Sequence, residues 1–148
     1  MTKTELQAYL HTHIPLSAAM QVTVKSVGET EVVLEAPLAP NINHRETLFG
    51  GSASAVAILA AWSLLHCRTR AEGIDSRLVI QRNSMEYLAP VAGSFTARAF
   101  LSSEDDWKGF MKLFRRRGRA RISVSSELEY AGEVAGRLEG DFVALGKE

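Results

Sequence analysis

From Gly50 to Cys67 the chain carries no Asp, Glu, Lys or Arg. The helix predicted there is apolar on nearly every face, through Ala53, Ala55, Val56, Ala57, Ile58, Leu59, Ala60, Ala61, Trp62, Leu64 and Leu65. A helix at the surface of a globular domain keeps a polar stripe. This one has none, so it must be enclosed, and Ile58 is expected to be buried. Its longest charge-free apolar run, Ala53 to Leu65, is too short and too rich in Ala and Ser to span a bilayer. The enclosing material must therefore be protein, and no membrane partner is expected.

The rest of the sequence supplies strands for that purpose. Leu6, Tyr9 and Leu10 fall at i, i+3 and i+4, which predicts an amphipathic helix from Thr4 to Thr12, ending before Pro15. Met20, Val22 and Val24 alternate with polar residues as in a half-buried strand. Gly28 to Thr30 reads as a turn into a second strand, Glu31 to Ala36, ended by Pro37 and Pro40. After the central helix, Gly50 to His66, further strands are predicted at Leu78 to Tyr87, Gly93 to Leu101, Arg119 to Tyr130 and Glu133 to Leu145. Gln81 and Asn83 interrupt the first of these. The order is β-β-α-β-β-β-β behind a short leading helix, with only strands after the central helix. The expected fold class is α+β: one antiparallel sheet wrapped around one long apolar helix, the hotdog arrangement, as a single domain over 1–148. An open sheet edge in such a fold invites a second copy, so a homo-oligomer, a dimer or larger, is expected.

The start of the central helix has chemical consequences. Phe49-Gly50-Gly51-Ser52 opens it with a glycine pair, so the unpaired amides of the first turn can be approached closely. The positive end of the helix dipole points the same way. Gly51 and Ser52 are thus placed to stabilise developing negative charge through their backbone N–H groups. Elsewhere the composition is permissive. Lys+Arg and Asp+Glu balance at 17 each, so the global charge implies neither nucleic acid nor a membrane as partner. The single Cys67 suits a reducing compartment and reads as a packed thiol. The first residues, MTKTELQAYLHTHIP, carry no signal-peptide pattern, so a cytoplasmic location is expected.

The run APLAPNINHRETLFGGS, followed by Ala61-Trp62 and Tyr87-Leu88-Ala89-Pro90-Val91, resembles a bacterial hotdog family of thioesterase-like proteins, the YiiD C-terminal type. The resemblance extends in order over nearly the whole chain. That family includes malonyl-acyl-carrier-protein decarboxylases that supply an acetyl thioester for fatty-acid synthesis. The resemblance implies a thioester substrate carried on acyl carrier protein or coenzyme A, and oligomerisation. It also implies a role for the second Asn of the Asn-x-Asn loop, which is Asn43.

Three functions remain open at this point. Thioester hydrolysis needs a general base near the carbonyl. Many hotdog thioesterases carry an Asp or Glu on the central helix, where this chain has Ala55, Val56, Ala57, Ile58 and Leu59. His44 and Glu46 are the fallback bases. Decarboxylation of a malonyl thioester needs no base, only stabilisation of the enolate oxygen and orientation of the carboxylate. Gly51 and Ser52 suit the first task and Asn43 the second. The third function is a non-catalytic acyl-thioester binding module. Asn43 also suits a plain loop, since Asn side chains bond nearby backbone. Thr47 caps the loop or reaches the substrate. Phe49, Gly50 and Tyr87 are candidate substrate-binding residues, with Tyr87 a core aromatic otherwise. No metal or organic cofactor is called for, phosphopantetheine being part of the substrate.

The segment WKGFMKLFRRRGRAR, Trp107 to Arg121, holds seven of the chain's 17 basic residues and no acid. Without a nucleic-acid motif it reads as a solvated loop or as a rim for an acidic partner. Lys112, Arg115, Arg116, Arg117 and Arg119 are the candidate docking residues for a carrier protein, beside the mouth of the site. Trp107, Phe110, Met111 and Phe114 recur at i, i+3, i+4 and i+7, as in a short amphipathic turn packed on the sheet or a lid.

Overall fold

The computed structural model describes residues 1–146. The last two residues of the expected domain lie outside them. Helix α1 runs Lys3–His13, and α2, Pro15–Ala19, follows it with Pro15 at its first position, where no N–H is needed. Strands β1, Thr23–Val27, and β2, Glu31–Ala36, form a hairpin. The central helix α3 is Gly50–Ala71. Then come β3, Ser76–Tyr87; β4, Phe95–Phe100; helix α4, Glu104–Arg117; β5, Arg119–Tyr130; and β6, Glu133–Gly146. The six strands form one antiparallel sheet in the order β1-β2-β4-β5-β6-β3. α3 packs against β2, β3, β4, β5 and β6. This is the hotdog arrangement.

Alternation places one face of each strand on α3. Val32, Leu34 and Ala36 of β2 are buried, and so are their partners Ala99, Ala97 and Phe95 of β4. Small side chains on both surfaces, Ala97 and Ala99 against Ala53, Ala57, Ala60 and Ala61, let helix and sheet approach closely. Fully buried Ser63 of α3 leaves its Oγ without a partner among the described residues, whereas fully buried Ser126 donates to the Ala57 carbonyl at 2.8 Å. A buried hydroxyl so paired avoids a desolvation penalty. By length and composition alone α3 would pass as a membrane span, but most of its apolar surface is spent on the sheet.

Two expectations are corrected. The chain does not continue with strands only after α3, because Trp107 to Arg117 lies in a true helix. Ser103 caps its start by accepting from the Asp105 amide, and Glu104, Asp105 and Asp106 occupy the first turn. Arg115, Arg116 and Arg117 occupy the last turn, and Gly118 at φ 69° terminates it. The charges suit the helix dipole at both ends. The acids that start this helix lie before the segment whose basic charge dominated the sequence pattern. Trp107, Phe110, Met111 and Phe114 are buried, so the packed reading of that stripe holds. The second correction is milder. Ile58 packs against the core but is only half-buried, with Ala55 and Trp62, on the one strip of α3 that the sheet leaves uncovered.

The two sheet edges differ. At β1 the side chains of α1 occupy backbone groups: Gln7 Oε1 accepts from the Val24 amide at 2.9 Å, and the His11 ring nitrogen lies 2.7 Å from the Val22 carbonyl. β3 has twelve residues and, among the described residues, a strand neighbour only in β6, while Trp62 Nε1 donates to its Leu78 carbonyl at 3.1 Å. The faces of α3 can be separated by experiment. Val56 is fully buried, and Val56→Asp should cost more than about 3 kcal/mol, as an unpaired buried charge does. Ile58→Asp, whose carboxylate reaches water, should cost only about 1–2 kcal/mol. Urea denaturation of the two variants measures the difference, and equal losses would contradict the uncovered strip.

Candidate active site at the start of the central helix

The loop before α3 is built by its two Asn residues. Asn41 is buried, and its Nδ2 donates to the carbonyls of Met20 at 3.0 Å and Pro37 at 2.9 Å. Its own carbonyl accepts from the Phe49 amide at 2.8 Å, closing the loop at its base. Asn43 closes the loop from within. Its Oδ1 accepts from the amides of Arg45 and Thr47, and its Nδ2 donates to Thr47 Oγ1 at 2.9 Å and to the Leu48 carbonyl at 3.4 Å. Every bonding position of the amide is thereby used, the last weakly. His44, Arg45 and Glu46 form the exposed tip, with Glu46 in the left-handed region at φ 64°.

This loop delivers Phe49 as the N-cap residue of α3, and no side chain caps the helix. The amides of Gly50, Gly51 and Ser52 therefore have no intrahelical acceptor. Two aromatic rings depend on the glycines. A Cβ on Gly51 would stand 2.4 Å from Cε2 of the Phe49 ring, and a Cβ on Gly50 would stand 3.4 Å from Cε1 of Tyr87. The Tyr87 hydroxyl donates to the Gly50 carbonyl at 3.2 Å. The segment after β3 is held close by two bonds from the Leu88 and Ala89 amides to the Ala135 carbonyl, and by one from the Leu48 amide to the Val91 carbonyl.

Between these parts lies a cleft of about 360 Å³, lined by Gly50, Tyr87, Leu48, Ala53, Pro90 and Val91 among others. The expected residues Gly50 and Tyr87 meet in it. Gly51, Ser52, Phe49, Asn43 and Thr47 are not among its lining residues: Gly51 and Ser52 follow Gly50 in the first turn of α3, Phe49 is 55% exposed, and Asn43 and Thr47 are bonded to each other within the loop. No carboxylate or imidazole among the described residues lines the cleft. His44 and Glu46 are not at its wall. Leu88, Ala89 and Pro90 were visible in the sequence only as part of the motif that carries the family resemblance. Leu128 and Ala135, which complete the wall, gave no local signal because pairing across the sheet brings them there.

The basic segment lies elsewhere than expected. It is not beside this cleft but at the other end of α3. Arg68 of α3 binds Glu104 of α4 through two bonds of 2.7 Å and lies over the Trp107 ring. Glu72 pairs with Arg115, whose guanidinium holds that carboxyl below its usual range. A groove of about 570 Å³ runs there between Glu72, Trp107, Lys108, Met111, Lys112, Arg115 and Arg116. Arg117 and Arg119 do not line it.

One group that the sequence did not single out lies on the flank of α3. His66 is 8% exposed and stacked on Trp62, with centroids 4.6 Å apart, and Tyr9 of α1 closes over it at 4.5 Å. Its Nε2 has no hydrogen-bond partner among the described residues. Burial, then Arg70 and His13, depress its pKa to about 4, against an opposing pull from Asp75. The i, i+4 spacing of Trp62 and His66 was the available clue.

The family model described as putative thioesterase (yiiD_Cterm) matches residues 3–146, and the chain belongs to that family. Its structure superimposes on a crystal structure of a protein of unknown function from Chlorobaculum tepidum with a TM-score of 0.93 at 28% identity, covering 98% of this chain and 94% of that one. A putative thioesterase from Shewanella oneidensis gives 0.83 at 26%, covering 97% and 96%. A thioesterase from Haemophilus influenzae shares the fold, with a TM-score of 0.79 at 13% identity over 99% of this chain and 92% of that one.

The buried imidazole makes stability depend on pH. Its folded pKa of about 4 lies below the ordinary value of 6.5, so the unfolded chain binds the extra proton between those values. This contribution is full above pH 6.5 and is lost as pH falls towards 4. Melting temperature should fall across that window, and His66→Phe should flatten the decline. An unchanged slope in the variant would assign the acid sensitivity to other groups.

Proposed function

We propose that this member of the thioesterase-like family acts as an enzyme on an acyl thioester at the start of α3, and that its reaction is decarboxylation of a malonyl thioester. The observation that carries this reading is that the uncapped start of α3 opens, at Gly50 and Ala53, on a cleft that no carboxylate or imidazole among the described residues lines. The thioester oxygen takes the amides of Gly51 and Ser52, in line with the positive end of the helix dipole. The bond between the methylene and the carboxylate breaks, carbon dioxide leaves, and the electron pair passes into the thioester as an enolate. The enolate carbon takes one proton from solvent, and the acetyl thioester results. Apolar walls from Leu48, Ala53 and Val91 favour loss of the carboxylate charge.

Asn43 orients the departing carboxylate or the carbonyl oxygen. Its long bond to the Leu48 carbonyl, 3.4 Å, is the one it gives up most readily, and Leu48 lines the cleft. Tyr87 and Phe49 flank the acyl group, and Thr47 holds Asn43 in place. The substrate arrives on acyl carrier protein or coenzyme A, and the chain works as a homo-oligomer in the cytoplasm, without a metal or organic cofactor. Fatty-acid initiation is a use for the product.

Hydrolysis is the second reading, favoured by the family description and by the Shewanella oneidensis neighbour described as a putative thioesterase. It needs a base, from His44, Glu46 or another copy of the chain. A binding module without turnover would bind the thioester and leave it intact.

Mass spectrometry of malonyl carrier protein separates the three. Decarboxylation leaves the carrier acetylated, hydrolysis leaves a free carrier thiol, and a binding module leaves it malonylated. Asn43→Ala should lower turnover by about 10²-fold, as loss of an oxyanion-type donor does. Circular dichroism tracks the loop's contribution to stability separately. Turnover at the wild-type level in the folded variant would confine Asn43 to loop building.

A further inference from the structure

The cleft beside α3 is graded from its mouth inwards. Tyr87 and Leu88 are 60% and 46% exposed, and Ala89 and Pro90 are exposed with them. Ala53, Val91, Leu128 and Ala135, which line the same cleft, are all buried. A chain that enters between the exposed residues therefore runs towards the buried four. Two of those are alanines and one is a valine, so Leu128 presents the largest side chain at the inner end.

The register of the sheet puts Leu128 there. Leu128 faces Gly136 of β6, and Glu129 faces Val134, so Ala135 has no partner on β5 and forms a bulge. Bulges recur beside active sites, where they re-aim side chains. At this one the Ala135 carbonyl accepts from the Leu88 and Ala89 amides at 2.9 and 3.2 Å, which holds the exposed wall against the buried one. Across the sheet Tyr87, Gly136, Leu128 and Ala97 form one row. Its two large side chains, Tyr87 and Leu128, stand two strand spacings apart, about 10 Å, one at the mouth and one at the inner end.

The neighbours of Leu128 in that row are small. Ala97 is fully buried on one side, and on the other a Cβ at Gly136 would stand 3.4 Å from Leu128 Cδ1 and 3.1 Å from the Glu86 carbonyl oxygen. Glycine at 136 is thus what leaves the leucine its room. The tip of Met85, a flexible side chain, takes the rest of that space, its Cε 3.0 Å from the same position.

We propose that Leu128 is the wall that limits the acyl group of the substrate to a short chain. This rests on the reading that the cleft takes the acyl part of a thioester. The wall acts on size alone, so it applies whichever reaction follows. A leucine side chain exceeds an alanine by three carbons, and its removal from a buried site leaves a cavity, because the surroundings relax only in part. An apolar cavity stays dry and accepts an apolar guest. An acyl chain three carbons longer should therefore fill the space that Leu128→Ala vacates.

Unreactive analogues test this without any turnover. In them an amide nitrogen replaces the thioester sulfur of an acylated pantetheine, and the acyl group is acetyl, propionyl or pentanoyl. Calorimetry gives their dissociation constants on each protein, and thermal melting shows that the variants are folded. The wild type should prefer acetyl to pentanoyl at least about 10-fold, since one methylene too many in an apolar pocket already costs about that much. Leu128→Ala should move this ratio at least about 10-fold towards pentanoyl. Leu128→Val removes one carbon and suits a strand, so it carries the test if the alanine variant does not fold. It should move the ratio of propionyl to acetyl the same way, by at least about 3-fold.

Ala89→Trp, at the exposed mouth, locates the bound chain and should abolish binding of all three analogues. If it does so while neither Leu128 variant moves the ratios, the cleft takes the acyl group but Leu128 does not limit it, and the proposal alone is overturned. If the analogues bind Ala89→Trp as tightly as wild type, or bind neither protein, the reading of the cleft falls and the proposal with it. Equal affinity of the wild type for acetyl and pentanoyl also overturns the proposal, since no wall then stands at the inner end.

Discussion

The need to enclose α3 organises the rest of the molecule. A helix without a polar face cannot sit on one side of a sheet as an ordinary surface helix does. Five strands pack against it, and the contact is close because alanines on the helix meet Ala97 and Ala99 on β4. Ser126, buried in this contact, is paired to a helix carbonyl, whereas the buried Ser63 hydroxyl of α3 has no partner among the described residues. The strip of Ala55, Ile58 and Trp62 is where the sheet runs out. It lies on the side of α3 from which Trp62 reaches over to bond the Leu78 carbonyl of the edge strand β3.

Enclosure also decides what the helix start can be. A helix buried along its length must begin at the margin of the sheet, and its first amides must be satisfied by a cap, by solvent or by a ligand. Here the cap is withheld. Phe49 has no polar side chain to offer, and the residues that could cap are used to build the loop instead, Asn41 at its base and Asn43 within it. The glycine pair then leaves space that the Phe49 and Tyr87 rings fill from outside. Free amides and apolar walls in one place follow from these local choices together.

The parts legible in the sequence were those set by periodicity. Alternation placed β2 at Glu31–Ala36, and the uncharged run placed the start of α3 at Gly50. The end of α3 was set too early, at His66, because Arg68 and Arg70 look like an exit to solvent. Arg68 is instead held by Glu104 and stacked on Trp107, partners distant in sequence. α4 was misjudged for a related reason. Its apolar spacing was visible, but the Ser103 cap and the acidic first turn were not read together with it. At the site, Gly50 and Tyr87 were foreseen, whereas Leu128 and Ala135 arrive through the register of β5 and β6, which no local pattern encodes. Asn43 takes the loop-building role that the sequence allowed it, through four bonds within its own loop.

The two ends of α3 are chemically opposite, and the length between them gives that contrast meaning. The N-terminal end is neutral, with its amides free and no carboxylate or imidazole among the described residues lining the cleft beside it. The C-terminal end is crowded with charge, through Arg68, Arg70 and Glu72 and the helix α4 tied to them by ion pairs. A site that must stabilise an enolate gains from a fixed positive dipole end and loses if mobile cations or carboxylates compete for the same oxygen. A surface that must attract an acidic partner needs those cations exposed. A single short helix could not keep the two apart, since a field from exposed lysines fades only over about 10 Å at moderate salt. Across 22 residues the fields separate.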